Sequence, residues 1–199
     1  MERATFKPIG SPVEDLDTPA LVLDITGVEQ NLRTVHDFFQ GRPAKLRPHV
    51  KIHGCAALAH LQLAFGQTVG GICTAKVSQA EVFAENGITD ILIANQVVAT
   101  GAITRLCALA RNTKMTVAVD DSQNVLDLSN AAQISDVSIN VLVDLNTRLN
   151  RCGVEPGNSA LELARQIVSV RGLSFAGLMA YEGCLLHKNY EDLVDETRQ

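Results

Sequence analysis

The sequence predicts an α/β fold in which parallel strands are covered by helices, as in a (β/α) TIM-type barrel. Short apolar runs rich in β-branched residues alternate with segments whose apolar residues recur at helical spacing. The runs are continuously apolar, which is typical of strands buried on both faces of a parallel sheet. A G-x-G-x-x-G turn is absent after the first run, so a barrel is favoured over a doubly wound dinucleotide-binding sheet.

Seven strand–helix units follow one another without a linker between domains. The predicted strands cover residues 20–25, 45–51, 69–74, 90–95, 115–120, 137–144 and 173–180. The predicted helices cover residues 27–39, 56–64, 78–86, 102–110, 124–132 and 160–168, and a polar helix begins near residue 189. Ser78 and Glu81 form an S-x-x-E pattern, which predicts a capping box at the start of the third helix.

Composition excludes several classes of protein. The chain has 199 residues, of which 46% are hydrophobic, and a formal net charge of −5, which indicates a globular domain rather than a disordered one. No apolar run approaches the length of a membrane span, and the N-terminus lacks the apolar core of a signal peptide. An acidic chain without a basic stripe argues against nucleic acid as a partner.

The cysteines indicate a reducing compartment. There are five of them, scattered and without a C-x-x-C pair, so we expect reduced thiols in a cytoplasmic protein. Cys184 and His187 have the spacing of a metal-binding pair, but two ligands are too few for a site. We therefore predict no metal site within this chain.

Polar residues stand at the carboxyl ends of the predicted strands. In a barrel this edge carries the active site. The residues in question are Lys51, Thr74, Asn95, Asp120, Asp144 and Tyr181.

Lys51 is the first candidate for chemistry. A partly desolvated lysine at the mouth of a barrel is a nucleophile that bonds to carbonyl compounds, pyridoxal phosphate included, although a solvated lysine at a strand end is the simpler interpretation. His49, Lys51 and His53 alternate, which predicts that all three side chains share one face of a strand. The two histidines could bind a metal, but the lysine between them argues against it.

Arg151 and Tyr181 are the next candidates. Arg151 follows a strand end, and its planar donors suit a phenolate or a carboxylate, whereas a surface ion pair is an equally simple reading. Tyr181 ends the last strand, where it could stack on a ring, donate a hydrogen bond or cover the rim.

An ordered set of motifs resembles the N-terminal barrel of the fold-type III pyridoxal-phosphate enzymes, the alanine racemase fold. Within that fold the sequence is most similar to the D-threonine aldolase and D-serine dehydratase branch. The motifs occupy residues 17–24, 47–53, 76–81, 90–95, 151–154 and 177–183.

The resemblance implies a role for each candidate. Lys51 matches the lysine of R-P-H-x-K that carries pyridoxal 5'-phosphate and is then released as a base, and His49 belongs to the same cofactor-binding motif. Arg151 matches the arginine that approaches the phenolic oxygen of the cofactor, and Tyr181 matches a tyrosine beside its ring. The implied function is a lyase for D-β-hydroxy amino acids, assisted by a divalent metal whose ligands lie outside this chain.

Other functions remain open at this stage. A racemase on the same fold would need a second base, and a non-catalytic pyridoxal-phosphate carrier would need a closed barrel. A barrel in which Lys51 is only structural is the fourth alternative. The family's G-R-C-G appears here with Asn150 in the first position, and Gly54 and Ala75 also depart from the family pattern.

The resemblance also sets an expectation for domain organisation. It places residues 20–25 outside the barrel and makes the strand at 173–180 the sixth of eight. We therefore expect residues 1–199 to be a truncated barrel domain without the family's C-terminal β-domain, and the isolated chain to hold cofactor weakly and lack activity. The full-length protein is expected to be a homodimer.

Overall fold

Helices and strands alternate along residues 7–183, the part of the chain that the computed structural model describes. The helices are α1 Ile25–Phe39, α2 Ala56–Ala64, α3 Val77–Glu85, α4 Thr100–Leu109, α5 Ser122–Ser135 and α6 Asn158–Ser169. The strands are β1 Ile72–Thr74, β2 Asp90–Gln96, β3 Lys114–Val119, β4 Ile139–Leu145 and β5 Leu173–Ala180.

The strands form one parallel sheet in the order β1-β2-β3-β4-β5. Each strand pairs with the next one in the chain, and one helix crosses over between them, as in a barrel. Within the described residues the sheet is open, since β5 does not pair with the first strand segment. The predicted α/β fold and incomplete barrel are confirmed.

The main core lies between the sheet and its helices. Ile91 and Ile93 point from β2 into this layer and are fully buried. Helices α3 to α6 each contribute at least one large buried side chain, including Phe83, Leu106, Leu128 and Ile167. Helix α1 buries none of its residues, so the N-terminal part is less firmly packed than the sheet.

The prediction of a strand at residues 20–25 is wrong. Residues 20–24 are unpaired, and α1 begins at Ile25, with the Asp24 carboxylate accepting a hydrogen bond from the backbone N–H of Thr26. Leu21 is 102% exposed. An apolar run forms a strand only when a neighbour pairs with its backbone, and no strand among residues 7–183 does so here.

The second predicted strand, at residues 45–51, is reduced to isolated bridges. Leu46 pairs with Thr68 and His49 with Cys73, after which Val50–Ile52 forms a turn of 3-10 helix. Pro48 lies between the two bridges and has no N–H to donate to a neighbouring strand. The sheet therefore has five paired strands where the sequence predicted six within the barrel.

The predicted capping box at α3 does not form. The helix begins one residue earlier, with Lys76 as its N-cap and without a side-chain cap. The Glu81 carboxylate instead accepts a hydrogen bond of 2.8 Å from Nε of Arg105 on α4. An ion pair between α3 and α4 has thus taken the place of the predicted hydrogen bonds at the start of α3.

The described thiols agree with the predicted reduced state. Cys55, Cys73, Cys107 and Cys152 are all free, and burial raises the pKa of Cys73 and of Cys107. The predicted helix near residue 189 and the 184/187 cysteine–histidine pair lie outside the described residues. Across residues 7–183, no helix combines the length and apolar character needed to cross a lipid bilayer.

Candidate active site

A cavity of about 240 Å³ opens at the carboxyl edge of the sheet. All four residues predicted to bind the cofactor line it, two of them at each rim: His49 and Lys51 before α2, and Arg151 and Tyr181 after β4 and β5. The other lining residues are Arg47, Cys73, Leu92, Ala94, Met179 and Ala180. The topology thus brings together residues that are 130 positions apart in the sequence.

Lys51 lies in the 3-10 turn Val50–Ile52 and is exposed to solvent. The turn is anchored by Val50, whose side chain is fully buried, and by the bridge between His49 and Cys73. The lysine amine therefore stands on a fixed backbone at an open rim. Of the two interpretations of Lys51, the structure agrees with the solvated lysine, since the side chain is exposed.

His49 is only partly exposed beside Lys51. Burial lowers the pKa of His49, and the positive charge of Lys51 lowers it further. The backbone of Cys73 lies close enough to act against this lowering, but the buried Nδ1 atom forms no hydrogen bond of regular geometry with any described residue. A neutral imidazole with an unsatisfied nitrogen in a cavity wall is suited to a ligand that supplies the missing hydrogen bond.

His53 does not join the other two residues of its motif. Its Nε2 lies 3.1 Å from Oε1 of Gln62 on α2, and its Nδ1 accepts a hydrogen bond from the backbone N–H of Cys55. The prediction of three side chains on one strand face was wrong because the backbone turns at Val50–Ile52 instead of continuing as a strand.

Arg47 ties the Lys51 segment to the sheet. Its Nη1 donates a hydrogen bond of 2.7 Å to Oδ1 of Asp90, and Lys114 donates to the other carboxylate oxygen. Burial alone would raise the pKa of Asp90, but the two cations outweigh it and hold that pKa below its usual range. Gly71 permits this approach, because a Cβ atom there would lie 2.6 Å from Nη1. No pattern in the sequence predicted this triad of Arg47, Asp90 and Lys114.

Arg151 lies against the Tyr181 ring at the opposite rim. The guanidinium carbon is 5.0 Å from the ring centroid, which is the geometry of a cation–π contact. The hydroxyl of Thr147 donates a hydrogen bond of 2.9 Å to the backbone carbonyl of Tyr181. The loop after β4 and the end of β5 therefore meet at one point of the rim.

Two aspartates at the ends of β3 and β4 accept hydrogen bonds from the loop that carries Arg151. Asp120 and Asp144 lie with Cys152 in a group whose potential ligand atoms are all within 4.8 Å of one another. Each of the three side chains already has a hydrogen-bond partner: the Gly153 N–H donates to Asp120, while the Cys152 thiol and the Gln96 amide donate to Asp144. Both aspartates were predicted as strand ends. Their hydrogen bonds to Cys152 and Gly153, which we call the Asp120–Asp144 clamp, were not predicted. Thr74 and Asn95 do not line the cavity.

The structure defines a parallel α/β barrel domain, open among the described residues, in which one cavity has a lysine rim and an arginine–tyrosine rim. The comparison with protein families makes the assignment specific. The chain belongs to the family described as alanine racemase, N-terminal domain, which matches residues 23–199. The family predicted from the motifs is confirmed.

Individual relatives narrow the branch. The chain is 40% identical to D-threonine aldolase of Arthrobacter sp. over 191 residues, which are 96% of this chain and 50% of that protein. It is 36% identical to 3-hydroxy-D-aspartate aldolase of Paracoccus denitrificans (strain Pd 1222) over 185 residues, covering 92% of this chain and 48% of that protein. The chain thus spans about half the length of these relatives.

A solved structure confirms the fold. The crystal structure of D-threonine aldolase from Filomicrobium marinum superposes with a TM-score of 0.84 at 45% identity. The match covers 88% of this chain and 47% of that one.

Proposed function

We propose that the protein is a pyridoxal-phosphate-dependent lyase acting on D-β-hydroxy amino acids. The observation that carries the proposal is the single cavity that joins Lys51 and His49 at one rim to Arg151 and Tyr181 at the other. The relatives named above are aldolases of D-threonine and of 3-hydroxy-D-aspartate, which supports the substrate class.

The cavity fits the cofactor in its chemistry. Apolar side chains of Leu92, Ala94 and Met179 line the middle, where an aromatic ring would pack. The guanidinium of Arg151 has no ion pair among residues 7–183, so its N–H groups can serve an acceptor in the cavity. The unpartnered Nδ1 of His49 supplies a further polar contact.

Each residue then has a defined part. When bound, pyridoxal phosphate supplies an electron sink for the bond broken at the substrate Cα. The Nζ atom of Lys51 would hold the cofactor aldehyde and, when free, accept or return a proton. Arg151 would donate to the phenolic oxygen, and Tyr181 would flank the ring while holding Arg151 through the cation–π contact.

A divalent metal forms part of the proposed function of the complete protein, where it would polarise the substrate β-hydroxyl. The group of Asp120, Asp144 and Cys152 does not fit that role, since none of the three lines the cavity and each side chain already forms a hydrogen bond that holds the loop. The metal ligands are therefore expected elsewhere in the complete protein.

Cofactor binding is tested by titrating the complete gene product with pyridoxal phosphate and recording visible absorbance. We expect a saturable visible band in the wild type and its loss in Lys51→Ala. Lys45→Ala is the matched control, because Lys45 is exposed, lies outside the cavity and bonds to Gln67. Equal bands in the wild type and Lys51→Ala would refute the assignment of the lysine.

The reaction is tested with D-threonine and 3-hydroxy-D-aspartate, each against its L-enantiomer. Aldol cleavage of D-threonine releases glycine and acetaldehyde, and dehydration releases ammonia and a 2-oxo acid. Racemisation inverts Cα alone and converts D-threonine to its Cα epimer, L-allothreonine. Cleavage or dehydration of the D-substrates alone is the expected result. Racemisation alone would support the racemase alternative, and cofactor binding without turnover would support the carrier.

The remaining proposals concern assembly and location. We propose a cytoplasmic homodimer that binds neither nucleic acid nor membranes, in keeping with the free thiols of the described residues and the net charge of −5. Light scattering of the complete gene product at micromolar concentration tests the dimer, and a monomer would contradict it.

A further inference from the structure

We propose that Asp120 and Asp144 are positioning residues that hold the loop 146–153, and with it Arg151, against the cavity. The inference rests on the proposed function, because Arg151 acts there on the bound cofactor. Neither carboxylate is a lining residue of the large cavity, so each would act through the loop.

The backbone closes this loop at its base. The N–H of Val154 donates to the carbonyl of Asp144, and the N–H of Asn146 donates to the carbonyl of Val154, both at 2.9 Å. Gly153 makes the closure possible: its φ is +98°, and a Cβ atom there would lie 2.6 Å from the backbone of Leu145 and Asn146. Any shift of this base would move Arg151.

The two carboxylates fix the residues that follow Arg151. Oδ2 of Asp120 accepts a hydrogen bond of 2.8 Å from the Gly153 N–H. Asp144 is only 3% exposed, and its Oδ2 accepts a hydrogen bond of 3.3 Å from the Cys152 thiol. The same oxygen accepts from Nε2 of Gln96 at 2.9 Å, which ties the loop to strand β2.

Arg151 itself is held loosely in comparison. Within residues 7–183 its guanidinium forms no ion pair. Its side chain contacts the Tyr181 ring, with 5.0 Å between the guanidinium carbon and the ring centroid. A cation left without a carboxylate partner keeps its donors for a ligand, but its place then depends on the backbone that carries it. The hydrogen bonds of Asp120 and Asp144 supply that constraint.

A matched pair of variants tests the positioning role. Asp120→Ala removes the acceptor for the Gly153 N–H, whereas the amide oxygen of Asp120→Asn can still accept it. In the complete gene product we expect Asp120→Ala to weaken pyridoxal phosphate binding about tenfold, the size of one lost hydrogen bond to a charged group, and Asp120→Asn to weaken it by less than about threefold.

The same substitution in an Arg151→Ala background separates positioning from a general loss of structure. If Asp120 acts through Arg151, Asp120→Ala has no further effect on the dissociation constant once Arg151 is absent. An equal loss in both backgrounds, or no loss in the wild-type background, would overturn the proposal. A wild type that binds no pyridoxal phosphate would instead overturn the proposed function and this inference with it.

A second pair decides the matter if Asp120→Ala does not fold. Cys152→Ala removes the thiol donor to Asp144, and Cys152→Ser restores a donor. We expect a loss of binding of about threefold in Cys152→Ala and recovery in Cys152→Ser. Equal affinities in the two variants would contradict the clamp, and circular dichroism thermal midpoints establish that both are folded.

Discussion

The N-terminal segment and the sheet differ in how firmly the same kind of sequence is held. Both contain short apolar runs, but strands β2 to β5 have paired neighbours and buried helix contacts, while residues 20–24 have neither. Ile93 on β2 is fully buried, whereas Leu21 is 102% exposed. An apolar run marks a segment that can be buried, and the partner that it finds decides whether it becomes a strand.

The largest expected loss of stability comes from a leucine-to-alanine substitution in the sheet layer, compared with the same substitution in the N-terminal segment. Leu128→Ala on α5 removes a fully buried side chain and should lower the free energy of unfolding by about 2–5 kcal/mol through lost burial and a cavity. Leu21→Ala makes the same chemical change on the exposed segment and should change it by less than about 0.5 kcal/mol. Urea denaturation of both variants measures the difference. A loss of more than about 1 kcal/mol in Leu21→Ala would show that the N-terminal segment is packed after all.

The two rims of the cavity also differ in how tightly their backbones are packed. Gly54 follows the Lys51 turn and Gly153 follows Arg151, and both have positive φ, at +60° and +98°. A Cβ atom on Gly54 would meet open space, whereas one on Gly153 would meet backbone atoms at 2.6 Å.

Gly153→Ala should therefore be more destabilising than Gly54→Ala. Each substitution incurs the left-handed strain of about 1–2 kcal/mol. Gly153→Ala also forces the base of the loop apart, so we expect at least twice that loss in urea denaturation. Equal losses of unfolding free energy in the two variants would show that the backbone around Gly153 can move to accommodate a Cβ atom.

The sequence predicted most of the fold but less of the site. Helices α1 to α6 were predicted because their periodicity is local, and Lys51, Arg151 and Tyr181 were found at strand ends and by resemblance. The Arg47–Asp90–Lys114 triad and the Asp120–Asp144 clamp were not, because each joins residues that are distant in the chain through side-chain geometry. The predicted strand at 45–51 was wrong because Pro48 has no N–H to donate and the backbone turns into a 3-10 helix at Val50–Ile52.

An intermediate loss of stability is expected when the ion triad of Arg47, Asp90 and Lys114 is broken, because this triad joins the segment before Lys51 to the sheet. Asp90→Asn leaves Arg47 without a charged partner and should lower the free energy of unfolding by about 1–3 kcal/mol at pH 7. The two cations lower the pKa of Asp90 in the folded protein below its ordinary value of 3.8. The stabilisation by its charge is therefore fully present above pH 3.8 and is lost as the pH falls through the lowered pKa.

The difference between wild type and Asp90→Asn should thus narrow below about pH 4. Urea titrations at pH 7, 4 and 3 measure it. Asp127→Asn on the exposed face of α5 is the control and should stay within about 0.5 kcal/mol of the wild type at pH 7. A difference that is constant with pH would mean that the Asp90 charge does not stabilise the link between the Arg47 segment and the sheet.

The smallest expected effect concerns Asn150, where this chain departs from the glycine of the motif that it resembles. Its φ is +54°, a left-handed conformation that asparagine tolerates better than most residues, and its Oδ1 accepts a hydrogen bond of 2.8 Å from the Asn146 amide. Asn150→Gly relieves the strain but loses this exposed hydrogen bond, so the free energy of unfolding should change by less than about 0.5 kcal/mol. Asn150→Ala loses the hydrogen bond and keeps the strain, and should cost about 1 kcal/mol in the same urea assay. If both variants were destabilised equally, the side-chain bond to Asn146 rather than the backbone conformation would select the residue at this position of the Arg151 rim.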